Sequence, residues 1–286
     1  MGDNINDLKQ WTEKTIRNFI ENSPANSLAD GTGEKAWTDF LIGFANGADS
    51  IFQDYKEHVG DFHWTPEEIF NEIFPDQKAL AEELTVISYI LPQTEATKAD
   101  NRKESKRPAE RWARTRIFGE EFNTELHKHL TNSFLEADIK ALAPTLTSNW
   151  KVHMSPKFSF ASAWSQRHAA YAAGLGTFGL CDGLITSKGK AMRVGSIIVK
   201  AHIPATVRPY TDHRAYCLFY SRGECKECIP RCPVGALSEE GHDKVKCRKF
   251  LAEVTAPYVK EHYGFDGYGC GLCQAGVACE SGIPEV

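Results

Sequence analysis

The chain has 286 residues, a formal net charge of −5, 42% hydrophobic residues and 25% charged residues. This length suits one large domain or two smaller ones, and the composition is that of a soluble globular protein. The small negative charge provides no general attraction to nucleic acid or to an anionic membrane surface. No apolar run approaches the ~20 residues that span a bilayer. We therefore expect neither a membrane protein nor a nucleic-acid-binding protein.

The amino-terminal sequence MGDNINDLKQ has no basic segment followed by an apolar one, and it has no twin-arginine motif. A secretory signal would require one of these features. We therefore expect a cytoplasmic protein. Because the cytoplasm is reducing, clustered cysteines in such a protein are more often metal ligands or catalytic groups than disulfides.

The first half of the chain contains three recognisable elements. Residues 4–22 carry apolar groups at helical spacing. The stretch TPEEIFNEIF has the features of a helix start, with Thr65 as the N-cap and Pro66 at the first helical position. Residues 84–91 are short, rich in β-branched side chains and followed by Pro92, which indicates a buried strand.

Further elements follow in the middle of the chain. Residues 93–111 are polar, and we predict a long surface loop there. Apolar positions at helical spacing predict a helix over 111–137. Residues 163–176 form an alanine-rich segment that ends in glycine, as a capped helix does. The β-branched stretch 193–203 predicts a second strand.

Nine cysteines are present, and eight of them follow residue 216. They form two groups, Cys217-x7-Cys225-x2-Cys228-x3-Cys232-Pro233 and Cys247 followed by Cys270-x2-Cys273-x5-Cys279. The pattern C-x2-C-x3-C-P is most of the bacterial ferredoxin run. Each iron at a corner of a cubane cluster takes one thiolate, and C-x2-C lets one turn supply two neighbouring corners.

In two-cluster ferredoxins the last cysteine of a run binds the other cluster. This rule assigns one 4Fe–4S cluster to Cys217, Cys225, Cys228 and Cys279, and a second to Cys232, Cys247, Cys270 and Cys273. Two zinc sites of four cysteines would use the same count, so zinc is the alternative, although the C-P step favours iron–sulfur. We also predict that a short helix starts after Pro233.

The segment GLGTFG, 174–179, matches the G-x-G-x-x-G pattern of dinucleotide-binding proteins. That fingerprint follows a strand and opens a helix. Here the motif follows a predicted helix, which argues against nicotinamide binding. Two alternatives are open: the glycines cap a helix and turn the chain, or they bring bare backbone against a large flat cofactor or its phosphate.

Residues 165–199 and the cysteine run 225–237 resemble the epoxyqueuosine reductases and reductive dehalogenases. The similar features are an arginine before an alanine-rich helix, the AGLG end of that helix, the GLIT step and the cysteine runs. The resemblance implies an α/β (α+β) fold, with a nitroreductase-like corrinoid-binding domain over 1–205 and a bacterial-ferredoxin-like module with two 4Fe–4S clusters over 206–286. It implies that cobalamin contacts Arg167, Ala173, Gly174, Leu175, Gly176, Thr177, Phe178 and Gly179.

One position departs from the family. Epoxyqueuosine reductases carry a proton-donating aspartate seven residues before the arginine, and Phe160 occupies that position here. The catalytic residue is therefore unassigned. His153, Tyr171 and Cys181 are candidates, and a structural role is the alternative for each of them.

We expect an iron–sulfur, corrinoid-dependent reductase that passes low-potential electrons from its clusters to cobalamin and an organic substrate. Its expected partners are a ferredoxin- or flavodoxin-like electron donor and a small-molecule or modified-base substrate. The alternative is an electron-transfer or corrinoid-activating protein with no substrate of its own. A third alternative is that the amino-terminal domain binds another tetrapyrrole, a flavin or no cofactor.

Overall fold

The computed structural model describes residues 5–285. The expectation that the amino terminus lacks a secretory signal rests in part on residues 1–4, which lie outside the described residues. The α-helices are α1 (Ile5–Asn22), α2 (Ile51–Val59), α3 (Pro66–Ile73), α4 (Glu95–Lys103), α5 (Glu110–Glu136), α6 (Gln166–Ala172), α7 (Leu218–Arg222), α8 (Lys244–Phe250) and α9 (Ala256–Tyr263). The strands are β1 (Leu41–Asn46), β2 (Thr85–Pro92), β3 (Ala141–Leu142), β4 (Val152–Ser155), β5 (Ser159–Ser162), β6 (Gly176–Phe178), β7 (Leu184–Thr186), β8 (Met192–Val199), β9 (Leu237–Ser238) and β10 (Gly241–His242).

The main sheet has four strands in the order β1-β2-β8-β3, and each neighbouring pair is antiparallel. Strand β2 is central and is buried from Thr85 to Leu91. A strand that is covered on both faces reads as a continuous apolar run, which explains why 84–91 lacks a polar alternation. The predicted strands at 84–91 and 193–203 are confirmed, although β8 begins one residue earlier and ends at Val199.

Two hydrophobic cores lie on the two faces of this sheet. Alternate residues of β2 point to opposite faces. Ile87 and Tyr89 pack in the core that includes Phe122 of α5, whereas Val86 and Ile90 pack in the core that includes the alanines of α6. Each fully buried large apolar side chain contributes about 1.5–3 kcal/mol. The sheet is therefore the middle of three layers, and the prediction of a mixed α/β (α+β) protein is confirmed.

The helix predictions are confirmed where local signals are strong. Thr65 caps α3: its Oγ1 accepts from the Glu68 backbone N at 3.2 Å, and its own backbone N donates to Glu68 Oε2 at 2.9 Å. This reciprocal pair is a capping box. The helices predicted over 4–22 and 111–137 appear as α1 and α5. The alanine-rich helix is shorter than predicted, because α6 spans only Gln166–Ala172.

Two predictions of local structure are wrong. Residues 93–111 are not a loop, because α4 occupies Glu95–Lys103 with Thr94 as its N-cap. The buried face of α4 is polar, so the apolar periodicity that reveals most helices is missing: Asn101 is fully buried and its Nδ2 donates to the Cys270 carbonyl at 3.2 Å. No helix starts after Pro233 either, since β9 pairs with β10 there.

None of the helices within residues 5–285 is long and apolar enough to cross a membrane. The boundary between 205 and 206 stays a prediction. The same holds for the nitroreductase-like and ferredoxin-like descriptions of the two parts of the chain.

Candidate cofactor cavity and cysteine sites

A large cavity of about 1160 Å³ lies between α2, the β4–β5 hairpin, α6, the 208–220 segment and α8. Its wall combines aromatic rings with basic groups. The aromatic residues include Phe158, Phe160, Phe178, Tyr171 and Tyr220, and the basic residues include Arg167, Arg208, Arg214, Lys244 and Arg248. Because cavities for drug-sized ligands measure about 300–1,000 Å³, this one has room for a larger ligand.

The predicted corrinoid-binding residues divide into two sets. Arg167, Phe178 and Gly179 line the cavity. Ala173, Gly174, Leu175, Gly176 and Thr177 are not among the lining residues, and Ala173 and Thr177 are fully buried. The structure thus brings both ends of the 167–179 segment to the cavity, whereas residues 173–177 lie outside its wall.

Packing explains the glycines of the 174–179 motif. Gly174 has a φ of +78° directly after α6, the left-handed conformation that glycine adopts at helix ends. A Cβ at Gly176 would overlap the Ile185 carbonyl oxygen on β7. The motif follows α6 and leads into β6, so it does not have the order of a dinucleotide fingerprint. Of the two alternatives left by the sequence, the turn is observed directly.

Phe160 stands in the cavity wall, at the position where the resemblance implies an aspartate. Two cations of α8 lie over its ring: Lys244 Nζ is 5.9 Å and the Arg248 guanidinium carbon 5.3 Å from the ring centroid. Lys244 Nζ is also 4.9 Å from the Phe158 centroid. Burial lowers the pKa of Lys244. The hairpin therefore presents aromatic faces to cations of α8, a favourable arrangement.

The three candidate catalytic residues lie in different places. Tyr171 lines the cavity, and burial raises its pKa. His153 is not among the lining residues; it stacks on Phe62 with ring centroids 4.5 Å apart. Cys181 is buried behind the wall, where its Sγ accepts from Lys190 Nζ at 3.5 Å. Of the three, only Tyr171 lines the cavity, and the catalytic role of each stays a prediction.

An ion pair that the sequence did not reveal faces the same cavity. His242 Nδ1 lies 3.0 Å from Asp182 Oδ2. Burial disfavours the protonated ring, but the Asp182 carboxylate and the Cys247 thiol outweigh burial and raise the pKa of His242 to about 9. The Asp182 carbonyl oxygen also accepts from the Arg167 guanidinium. Asp182 and His242 are separated by 60 positions in the sequence, so no local sequence pattern connects them.

The four cysteines predicted for the first cluster lie around one small cavity. Cys217, Cys225, Cys228 and Cys279 all line it, together with Lys190. Burial raises the pKa of Cys228 to about 12 and that of Cys279 to about 11. Neutral thiols do not balance the positive charge of Lys190. A bound metal would deprotonate the thiols and leave them negatively charged. Gly179 lines both this cavity and the large one, so a single backbone segment separates the two.

Two members of the second set, Cys232 and Cys273, pack against the buried cluster that contains Cys217, Cys228 and Cys279. Burial raises the pKa of Cys270 to about 11, and the neighbouring thiols of Cys247 and Cys232 contribute to the rise. Cys232 Sγ accepts from the Ala236 backbone N at 3.2 Å. Cys247 lines the large cavity as well.

Among residues 5–285, no three His, Cys, Asp or Glu side chains are arranged to hold a single metal ion. The thiols of the first set surround a space instead of meeting at a point. The assignment of ligands to clusters therefore stays a prediction.

Comparisons with known proteins gave structural similarity only. No family model matches the chain, and no curated protein matches its sequence. A selenomethionine-labelled epoxyqueuosine reductase has a TM-score of 0.49 and 17% identity, over 99% of this chain and 68% of the other. The Bacillus subtilis epoxyqueuosine reductase gives 0.47 and 16% over the same shares. A reductive dehalogenase described as B12-dependent gives 0.45 and 15%, over 94% of this chain and 36% of the other. These are the two enzyme groups that the sequence resembles.

Proposed function

We propose that this protein is an iron–sulfur, corrinoid-dependent reductase. The cysteine module would hold two 4Fe–4S clusters that supply low-potential electrons, and the large cavity would hold a cobalamin beside an organic substrate. The electron donor is a ferredoxin- or flavodoxin-like protein, the substrate is a small molecule or a modified base, and the compartment is the cytoplasm. The nitroreductase-like and ferredoxin-like parts correspond to residues 1–205 and 206–286.

The observation that carries this proposal is the shared wall between the cavity and the cysteines. Cys247 lines the large cavity, and Gly179 lines both it and the cavity of the first cysteine set. Electrons delivered to clusters at these thiols would therefore be released next to whatever the cavity holds. The volume of about 1160 Å³ supports a ligand larger than an ordinary metabolite.

The residues around the first cysteine set fit an anionic cluster. Lys190 is 2% exposed, and the groups that raise its pKa are thiols. A buried ammonium is costly unless negative charge lies beside it. Cys181, whose pKa is lowered by Cys273 and by Lys190, supplies part of that charge, and a 4Fe–4S cluster with four thiolate ligands would supply more. The donor set of four cysteines is also the ordinary one for such a cluster.

The chain's own groups bind, orient and hold protons at the cavity. When bound, the corrinoid supplies a strongly reducing cobalt centre, and the protein supplies position and electrostatics. Arg167, held by the Asp182 carbonyl, presents a fixed cation to the ligand. Phe158 and Phe160 exclude water from one side of the cavity. Lys244 holds a proton at Nζ above both rings, where its lowered pKa suits proton donation.

Anaerobic purification tests the proposal. We expect a brown protein with about eight irons per chain, and corrinoid absorbance that stays with the protein after reconstitution and gel filtration. A colourless protein that contains zinc would refute the iron–sulfur part. An iron-loaded protein that fails to retain cobalamin would refute the corrinoid part and leave the clusters in place.

A second candidate function is electron transfer or corrinoid activation without a substrate of its own. The observation in its favour is Phe160, which has no proton to donate at the position of the family's aspartate. Single-turnover assays separate the two candidates. A reductase oxidises its reduced corrinoid faster when substrate is added, whereas an activating protein transfers its electrons only to a partner.

A further inference from the structure

Lys190 and Cys181 form a buried pair, and neither residue is among the eight predicted cluster ligands. Lys190 Nζ donates to Cys181 Sγ at 3.5 Å, and both side chains are buried. Cys181 is the cysteine left over when eight are assigned as ligands. Among the described residues, Lys190 has no carboxylate as an ion-pair partner, and the groups around it that can become anionic are thiols.

This pair touches both sets of predicted ligands. On one side, Lys190 lines the cavity of the first set, together with Cys228 and Cys279. On the other side, Cys273 of the second set packs against the buried cluster that contains Cys181. The pair therefore lies between the two sets.

The backbone fixes the ammonium in this place. The Lys190 backbone N donates to the Cys279 carbonyl at 2.9 Å, and the next residue donates from its N to the Glu280 carbonyl at 3.2 Å. Gly189 has a φ of +81°, and a Cβ there would overlap the Glu280 carbonyl oxygen. The segment that carries Lys190 is thus clamped to the segment that carries Cys279, and the buried side chain has little freedom to move away.

We propose that Lys190 is a positioning residue whose ammonium lies between the two sets of predicted cysteine ligands and raises the reduction potential of the cluster that each set would hold. This inference rests on the proposed function. Reduction of a cluster by the external donor adds one electron, and the added negative charge is stabilised by a nearby cation. Net charge and hydrogen bonds near the sulfurs are among the factors that set cluster potentials. Coulomb energies are large where water is excluded, so one buried ammonium can act on two neighbouring clusters.

Redox titration of the iron-loaded protein with dithionite, monitored by EPR, tests this inference. We expect Lys190→Met to shift the midpoint potentials of both clusters to more negative values at unchanged iron content. The control is Lys188→Met, because Lys188 pairs with Asp39 at 2.8 Å and is 45% exposed at its side chain; its potentials should equal those of the wild type. Lys190→Arg, which keeps the charge, should leave both potentials close to the wild-type values.

Unchanged potentials in iron-loaded Lys190→Met would overturn the inference, and so would a shift confined to one cluster. If Lys190→Met fails to load iron, Lys190→Arg decides. Full loading of the arginine variant supports a requirement for charge, whereas its failure to load shows that side-chain fit matters and overturns the inference. Wild-type protein that contains zinc and no iron refutes the proposed function itself, a result distinct from all of these.

Discussion

Replacing Gly189 by alanine should damage the first cysteine site more than the fold as a whole. Gly189 has a φ of +81°, and an added Cβ would overlap the Glu280 carbonyl oxygen, one residue after Cys279. The left-handed conformation costs an alanine about 1–2 kcal/mol. Relief of the overlap requires movement of the 279–280 segment, which breaks the two backbone hydrogen bonds at 2.9 and 3.2 Å. At about 0.5–1.5 kcal/mol each, the expected total loss is about 2–5 kcal/mol.

Gly264→Ala is the matched control for this prediction. Gly264 has a φ of +77°, and an added Cβ would meet nothing within 4 Å. It therefore carries the conformational cost without the overlap. The measurement is the free energy of unfolding in urea, together with iron per chain after anaerobic reconstitution. We expect Gly189→Ala to be the less stable variant and to lose iron, whereas Gly264→Ala keeps its iron. Equal stability and equal iron content in the two variants would refute the reasoning.

Three further predictions concern the ligands, the cavity and the pH dependence of stability. Cys279→Ala should lower iron from about eight to about four per chain and remove the EPR signal of the cluster held by the first cysteine group; loss of the other signal would contradict the crossed assignment. Lys244→Met should slow substrate reduction at least tenfold at unchanged cobalamin binding, whereas Lys246→Met, whose side chain lies outside the cavity wall, should not; equal rates in both variants would exclude Lys244 as the proton donor. Burial lowers the pKa of His127 from 6.5 to about 4, so the stability it contributes is present above pH 6.5 and is lost as the pH falls toward 4. The free energy of unfolding in urea should fall between pH 7.5 and pH 5 by about 2 kcal/mol less in His127→Gln, which does not titrate, than in the wild type. An equal fall in both proteins would rule this histidine out as the cause.

The strongest predictions from sequence concern features that neighbouring residues determine among themselves. The capping box at Thr65 needs only residues three positions apart, and it is present with both hydrogen bonds. The apolar run 84–91 predicts β2 because a strand covered on both faces must be apolar throughout. The spacing of Cys225 and Cys228 likewise reports a local turn. In each case the physical cause acts within one element.

Other features depend on contacts between distant parts of the chain, and the sequence did not reveal them. The helix α4 was missed because its buried face is polar, with Asn101 bonded to the Cys270 carbonyl 169 positions away. The Asp182–His242 ion pair and the place of Lys190 among the thiols have the same origin. The sequence by itself determined the spacing of the cysteines that we propose as ligands and the alternation of strands and helices. Only the tertiary structure decided which charges share a wall with those ligands, because electrostatic and packing energies depend on distance in space and not on separation along the chain.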